Sequence, residues 1–123
     1  MEDYQGMILY IHQDEISVDT LGAFAVYIEN SGGVLAVHSA TASFIEQDRY
    51  FEILGGKFTG HGPVEKFDVI PYPDQSLDLF KGIERFTIKD ELYIHQFYAD
   101  VTPHFYALHE GEKAPMVDRK SVV

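Results

Sequence analysis

Six histidines and no cysteine set the chemistry open to this chain. His38 follows the apolar run Val34-Leu35-Ala36-Val37 and precedes Ser39-Ala40-Thr41-Ala42-Ser43. That pattern reads as a buried parallel strand that delivers an imidazole and several hydroxyls at its carboxyl end. An imidazole titrates near neutrality, so at such a place it can move a proton, bind a metal or hydrogen-bond a hydroxyl. The structural alternative is a histidine whose ring nitrogens brace the Ser39–Ser43 loop. His61 lies between Gly60 and Gly62, which lets a ligand approach closely, although glycines also simply make turns. Glu91, in Asp90-Glu91-Leu92-Tyr93, adds a carboxylate, or else Asp90 or Glu91 caps the turn before a strand.

Together His38, His61 and Glu91 have the composition of a divalent-metal site, zinc for example, with one position open for water or substrate. No local metal motif such as H-E-x-x-H accompanies them. Ser39 as a nucleophile, with His38 or His61 as its base, lacks a surrounding G-x-S-x-G elbow, and a loop hydroxyl satisfying backbone groups is the simpler reading. His12, at the end of another apolar run, shares the edge expected for His38. Ser39, Thr41, His12 and Tyr93 are accordingly the candidate substrate contacts. Tyr93, Phe97, Tyr98, Phe105 and Tyr106 offer rings for stacking on a sugar, against the commoner role of core and cross-strand packing. His95, His104 and His109 need no function.

These residues require elements to hold them. Met7–Ile11 is a continuous apolar strand, and Ser17 caps a helix on which Leu21, Phe24, Ala25 and Ile28 share one face. Gly32-Gly33 ends that helix, and Val34–Val37 completes a βαβ unit with parallel strands. Gln47–Leu54 reads as a short helix with Tyr50, Phe51 and Leu54 inward, and Lys57–Pro63 as a loop. Beyond it the periodicity changes, giving strands at Val64–Ile70, Arg85–Ile88, Leu92–Tyr98, His104–His109 and Ala114–Val117. Turns are expected at Pro71–Asp74 and Glu110–Lys113, with a helical turn at Ser76–Phe80. The fold class expected is α/β: a flavodoxin-like parallel βαβ core with a mixed or antiparallel β excursion in the second half.

Composition narrows the partners. A chain of 123 residues is one domain, and its net charge of −11 works against nucleic acid and anionic membrane surfaces, which need Lys and Arg to displace counterions. A neutral or cationic small molecule fits better. The absence of cysteine removes disulfides, thiolate metal sites and any cysteine nucleophile. No apolar run approaches the ~18 residues of a membrane span and the N-terminus is acidic, so the expectation is a cytoplasmic protein.

Three blocks then carry a resemblance. Gly32-Gly33-Val34-Leu35-Ala36-Val37-His38-Ser39-Ala40-Thr41-Ala42-Ser43-Phe44, Tyr50-Phe51-Glu52-Ile53-Leu54-Gly55-Gly56-Lys57-Phe58-Thr59-Gly60-His61, and Phe86-Thr87-Ile88-Lys89-Asp90-Glu91-Leu92-Tyr93 occur in this order and at consistent spacing. They resemble the ThuA-like (trehalose utilisation) family, within the class I glutamine-amidotransferase-like, flavodoxin-like folds. The resemblance covers roughly Tyr4 to Val117 and implies the central part of the family domain, hence a single, truncated domain. It implies a role in catabolism of trehalose and related disaccharides through a small carbohydrate ligand bound by His38, His61 and Glu91. The cysteine that amidotransferases carry after the equivalent strand is missing, which excludes glutamine hydrolysis by that route. Acid–base or metal-assisted chemistry, a non-catalytic carbohydrate-binding or oligomerising module, and an inactive incomplete domain that self-associates into a homo-oligomer all stay open.

Overall fold

A computed structural model of the chain describes residues 1–73 and 78–121. Its elements are β1 (Gly6–Leu9), α1 (Val18–Glu29), β2 (Gly33–Ala36), a 3-10 turn (His38–Ala42), α2 (Asp48–Leu54), β3 (Gly56–His61), β4 (Glu65–Pro71), a second 3-10 turn (Asp78–Phe80), β5 (Phe86–Asp90), β6 (Tyr93–Phe97), β7 (Thr102–His109) and β8 (Glu112–Arg119). They divide between two compact units, one built on Met1–Phe58 with Gln96–Asp100, the other on Thr59–His95 with Val101–Lys120.

In the first unit, α1 begins at Ser17, whose Oγ accepts from the Thr20 N–H at 3.1 Å, with Asp19 favourably placed in the first turn. The helix buries Leu21, Phe24, Ala25 and Tyr27. Leu21 and Phe24 join Phe44, Tyr50 and Phe51 in one apolar cluster, edged by Met7, Leu9, Val34 and Leu54. Burial of each large side chain there contributes about 1.5–3 kcal/mol. The helix ends in paired backbone bonds, Ser31 N–H to Ile28 and Gly32 N–H to Tyr27, with Ser31 in the left-handed region at φ 70°. Gly32 itself has a normal φ and is needed for a different reason. A Cβ there would run into the Tyr27 ring, whose hydroxyl reaches over to donate to the Gly33 carbonyl at 3.1 Å. At the end of α2, Gly55 takes φ 94° and returns its N–H to Phe51.

β1 and β2 pair in parallel, Met7 against Val34 and Leu9 against Ala36. Met7, Leu9 and Val34 pack on the cluster, whereas Ile8 and Leu35, partners in the same register, stay 71% and 59% exposed. The strands alternate where the sequence reading took them as buried on both sides.

The second unit is antiparallel. Its four-stranded sheet runs β5-β4-β7-β8. Phe67 faces Ile88 across β4 and β5, Ile70 faces Tyr106, and Ala107 faces Ala114. Val69, Leu92, Phe105 and Ala107 are its buried apolar residues. β7 and β8 form a hairpin closed by Glu110 and Gly111, both at positive φ, as a two-residue turn matched to strand twist requires. The register slips on either side of Phe105, in a stretch that holds Pro103 and Pro115, because proline cannot donate to a regular ladder. β3 and β6 make a separate two-stranded sheet.

The flavodoxin-like α/β expectation is therefore overturned. The described residues form eight strands and only two α-helices, and parallel pairing is confined to β1–β2. The physical reason is which strands pair over long range. A parallel pair needs a crossover of a dozen residues or more, and only the β1–β2 connection, which contains α1, supplies one between paired parallel strands. After α2 the strands pair antiparallel whatever separates them: fourteen residues lie between β4 and β5, two between β7 and β8, and β4 and β7 are not consecutive. The expected loop over Lys57–Pro63 is largely strand β3. Part of the helical turn expected at Ser76–Phe80 appears at Asp78–Phe80; Ser76 and Leu77, like Asp74 of the expected turn before them, lie outside the described residues.

Across β4 and β5, Asp68 accepts from the Thr87 hydroxyl, its register partner, and from Arg85, whose Nε lies at 2.9 Å. These bonds, that of Thr87 foremost, hold its carboxyl below the ordinary value. The stability this adds is complete above the carboxyl's unfolded pKa and disappears as pH falls through the lower folded one. Urea midpoints followed from neutral to acid pH should show that loss in the native chain and a flatter profile in Asp68→Asn. At the end of α1, Ser31→Gly should stabilise by about 1 kcal/mol by removing a left-handed Cβ. Gly32→Ala should destabilise by roughly 1–3 kcal/mol by displacing Tyr27; thermal unfolding checks both.

Candidate functional site

The first group of candidate residues sits on the turn after β2. Val37 is extended, at φ −120° and ψ 130°, and its N–H donates to the Leu9 carbonyl at 2.8 Å. His38 then swings to φ 53° and opens the 3-10 turn, and Phe44, just past its far end, also stands at φ 53°. Two non-glycine residues in the left-handed region need firm support. Ser39 Oγ donates to the Ile11 carbonyl at 2.9 Å. Ser43 Oγ, fully buried, lies 3.2 Å from the same carbonyl and 3.1 Å from that of Ser39, and accepts from the Gln13 N–H at 3.1 Å. The Phe44 N–H returns to the Gln13 carbonyl at 2.8 Å. From below, the buried Tyr50 hydroxyl donates to the Ala40 carbonyl at 2.7 Å. Burial pushes the Tyr50 phenol up to about 12, so it remains a neutral donor across the physiological range.

Those bonds give several candidates definite work. The Ser39 hydroxyl holds the turn to the end of the first strand segment, and the Thr41 hydroxyl donates to the His38 carbonyl at 3.2 Å. His38 and His12 are both exposed. Tyr50 and Ser43 are the bracing residues that sequence reasoning missed. For Tyr50 the signal in the sequence is a tyrosine rather than a phenylalanine at an inward position.

The second group lies in the other unit. His61 ends β3, Glu91 lies between β5 and β6, and Tyr93 begins β6. The join is closed by the Gly62 N–H, which donates to the Leu92 carbonyl at 3.2 Å. It brings His61 Nδ1 to 3.8 Å from Glu91 Oε1, and the His61 ring to 6.2 Å from Tyr93. His61 Nδ1 also lies 2.6 Å from the Gly62 carbonyl. A carbonyl only accepts, so this contact requires the proton on Nδ1, and the neutral ring then carries its basic lone pair on Nε2. Asp90 Oδ1 accepts from the Glu91 N–H at 2.8 Å, so Asp90 is the turn cap and Glu91 is released from that duty. Tyr93 is followed by His95, 6.2 Å away ring to ring, whose imidazole burial holds below its ordinary value. Only the pairing with Tyr93 distinguishes His95, which the sequence alone does not mark.

The metal reading finds no matching donor set. Among the described residues no three His, Cys, Asp or Glu side chains gather to hold an ion, and His61 with Glu91 supplies two donors where a catalytic zinc takes three protein ligands.

The brace on the turn is directly testable. Tyr50→Phe leaves the Ala40 carbonyl without its buried donor and should cost about 1–3 kcal/mol in urea unfolding. In an alkaline absorbance titration it should also remove a phenol that ionises only near pH 12.

A family model described as trehalose utilisation, ThuA, matches residues 1–120. No curated protein and no solved structure matches the chain. The match runs through both units, taking in the braced turn at His38 as well as the His61–Glu91 pair, and on it the chain belongs to the ThuA family of trehalose utilisation.

Proposed function

We propose that the chain binds a small carbohydrate of the trehalose class at the His61–Glu91–Tyr93 group, with His61 as the proton acceptor there. The observation that carries this reading is the approach of His61 to Glu91 at 3.8 Å beside the Tyr93 ring. Sugars present hydroxyls in the plane of the ring and C–H bonds on its faces. A carboxylate accepts from hydroxyls, a neutral imidazole accepts through Nε2, and an aromatic ring packs against the C–H face. Glu91 is about one-third exposed and His61 somewhat more, so both are open to a ligand from solvent. The net charge of −11 suits an uncharged ligand better than a phosphorylated one.

Calorimetric titration with trehalose should give saturable binding. Glu91→Gln keeps the shape and removes the charge, and should weaken that binding by about 10-fold or more, the usual effect of losing a charge-assisted hydrogen bond. Its thermal midpoint should stay near that of the native chain, since Glu91 does not cap the turn. No binding by the native chain, or equal binding by Glu91→Gln, would refute the reading.

A further inference from the structure

We infer that the outward face of the β1–β2 ribbon docks a second copy of this chain, across a two-fold axis that crosses the strands at the level of Ile8 and Leu35. The inference is independent of the carbohydrate reading.

Parallel strands are normally covered on both faces. In this ribbon Met7, Leu9, Ile11 and Val34 pack inward on the apolar cluster. Alternation turns Gly6, Ile8 and Tyr10 the other way, and beside them Gly33, Leu35 and Val37. Gly6 faces Gly33 in the register and Ile8 faces Leu35, while Tyr10 and the still extended Val37 stand two residues further along. Ile8 is 71% exposed, Tyr10 73% and Leu35 59%. Three large side chains exposed to that degree present on the order of 400–500 Å² per copy, so two copies face to face cover about 1,000 Å², the lower bound for a specific interface.

The gradient of size along this face selects the occupant. The two glycines leave one end flat: beyond their chain neighbours, a Cβ at Gly6 would find its nearest atom at 3.9 Å and one at Gly33 at 3.5 Å. Tyr10 and Val37 make the other end tall. Each end lies two residues, about 6–7 Å, from the level of Ile8 and Leu35. A two-fold axis across the strands at that level sets Tyr10 over Gly6 of the second copy and Val37 over its Gly33. Ile8 and Leu35 then meet their own equivalents, as a closed isologous contact between two sheets requires.

Charge points to the same face. A chain of net −11 repels its own copy, but residues 4–11 and 30–37 contain no Asp, Glu, Lys or Arg. The outer strands of the four-stranded sheet differ: β5 carries Lys89 and Asp90, and β8 carries Pro115 and four charged residues, which keep strands of other chains away.

Sedimentation equilibrium of the whole chain from about 1 µM to 1 mM should show a reversible monomer–dimer equilibrium. A monomer throughout would overturn the inference, as would assembly that grows past the dimer without closing. Ile8→Glu and Ile8→Lys each set like charges against one another across the axis and should each weaken the dimer by at least about 10-fold. An equal mixture of the two variants pairs opposite charges and should restore it. Gly6→Val has room to fold but fills the hollow that takes Tyr10, so it too should weaken the dimer by about 10-fold or more, with a thermal midpoint at low concentration no lower than that of the native chain. A dimer untouched by Ile8→Glu, a mixture that stays monomeric, or a Gly6→Val chain that dimerises as tightly as the native one would each overturn the proposed contact.

Discussion

A single buried phenol ties the turn after β2 to the core of the first unit. Tyr50 is 1% exposed, packed edge-on against Phe44 and Phe51 and tilted against Phe24, so its ring belongs to the apolar cluster. Its hydroxyl leaves that cluster at one point only, to donate to the Ala40 carbonyl in the turn after β2. Apolar burial fixes the ring, the ring fixes the hydroxyl, and the hydroxyl fixes a backbone carbonyl inside a strained turn. Without that chain of constraint a left-handed His38 would relax, since nothing about a 3-10 turn of five residues is stable by itself.

The second unit solves a similar problem by different means. After α2 the neighbouring strands of the four-stranded sheet pair antiparallel, and a register slip beside Pro103 and Pro115 lets prolines enter it. The join between β5 and β6 is two residues long, which leaves Glu91 close behind Asp90 and just ahead of Tyr93. Because Asp90 takes the backbone bond of that turn, the neighbouring carboxylate faces His61. One acidic residue caps the turn, and the next stands beside an imidazole.

The two units also show how far an alternating pattern can be misread. Ile8 and Leu35 look like parts of continuous buried strands, yet each lies on the uncovered face of a two-stranded parallel ribbon. Apolar residues on both faces invite the inference of helices on both sides, which is how a wholly parallel sheet is covered. Among the described residues only α1 and α2 are α-helices, and the rest of the chain goes into antiparallel and two-stranded sheets.

Much of the local structure was legible in the residues themselves. The Ser17 cap, the Leu21, Phe24 and Ala25 face, the inward Tyr50 and Phe51, and the strands around Phe67, Ile88 and Phe105 follow from propensity and periodicity, which act over a few neighbours. The three blocks that resemble the trehalose utilisation family were equally legible, and the family match confirms them. The parallel-core expectation failed because the sheet partner of a strand is set by long-range pairing, to which periodicity is blind. The same limit applied to the sites. Sequence could name His38, Ser39, His61 and Glu91 as groups capable of chemistry. Only the folded chain decided that Ser39 is spent on the Ile11 carbonyl 28 positions away, that Asp90 relieves Glu91, and that His38 sits where the backbone is left-handed. A hydrogen bond or a strained φ depends on which distant carbonyl or ring arrives within about 3 Å, and that is fixed by packing, not by the identity of the residue.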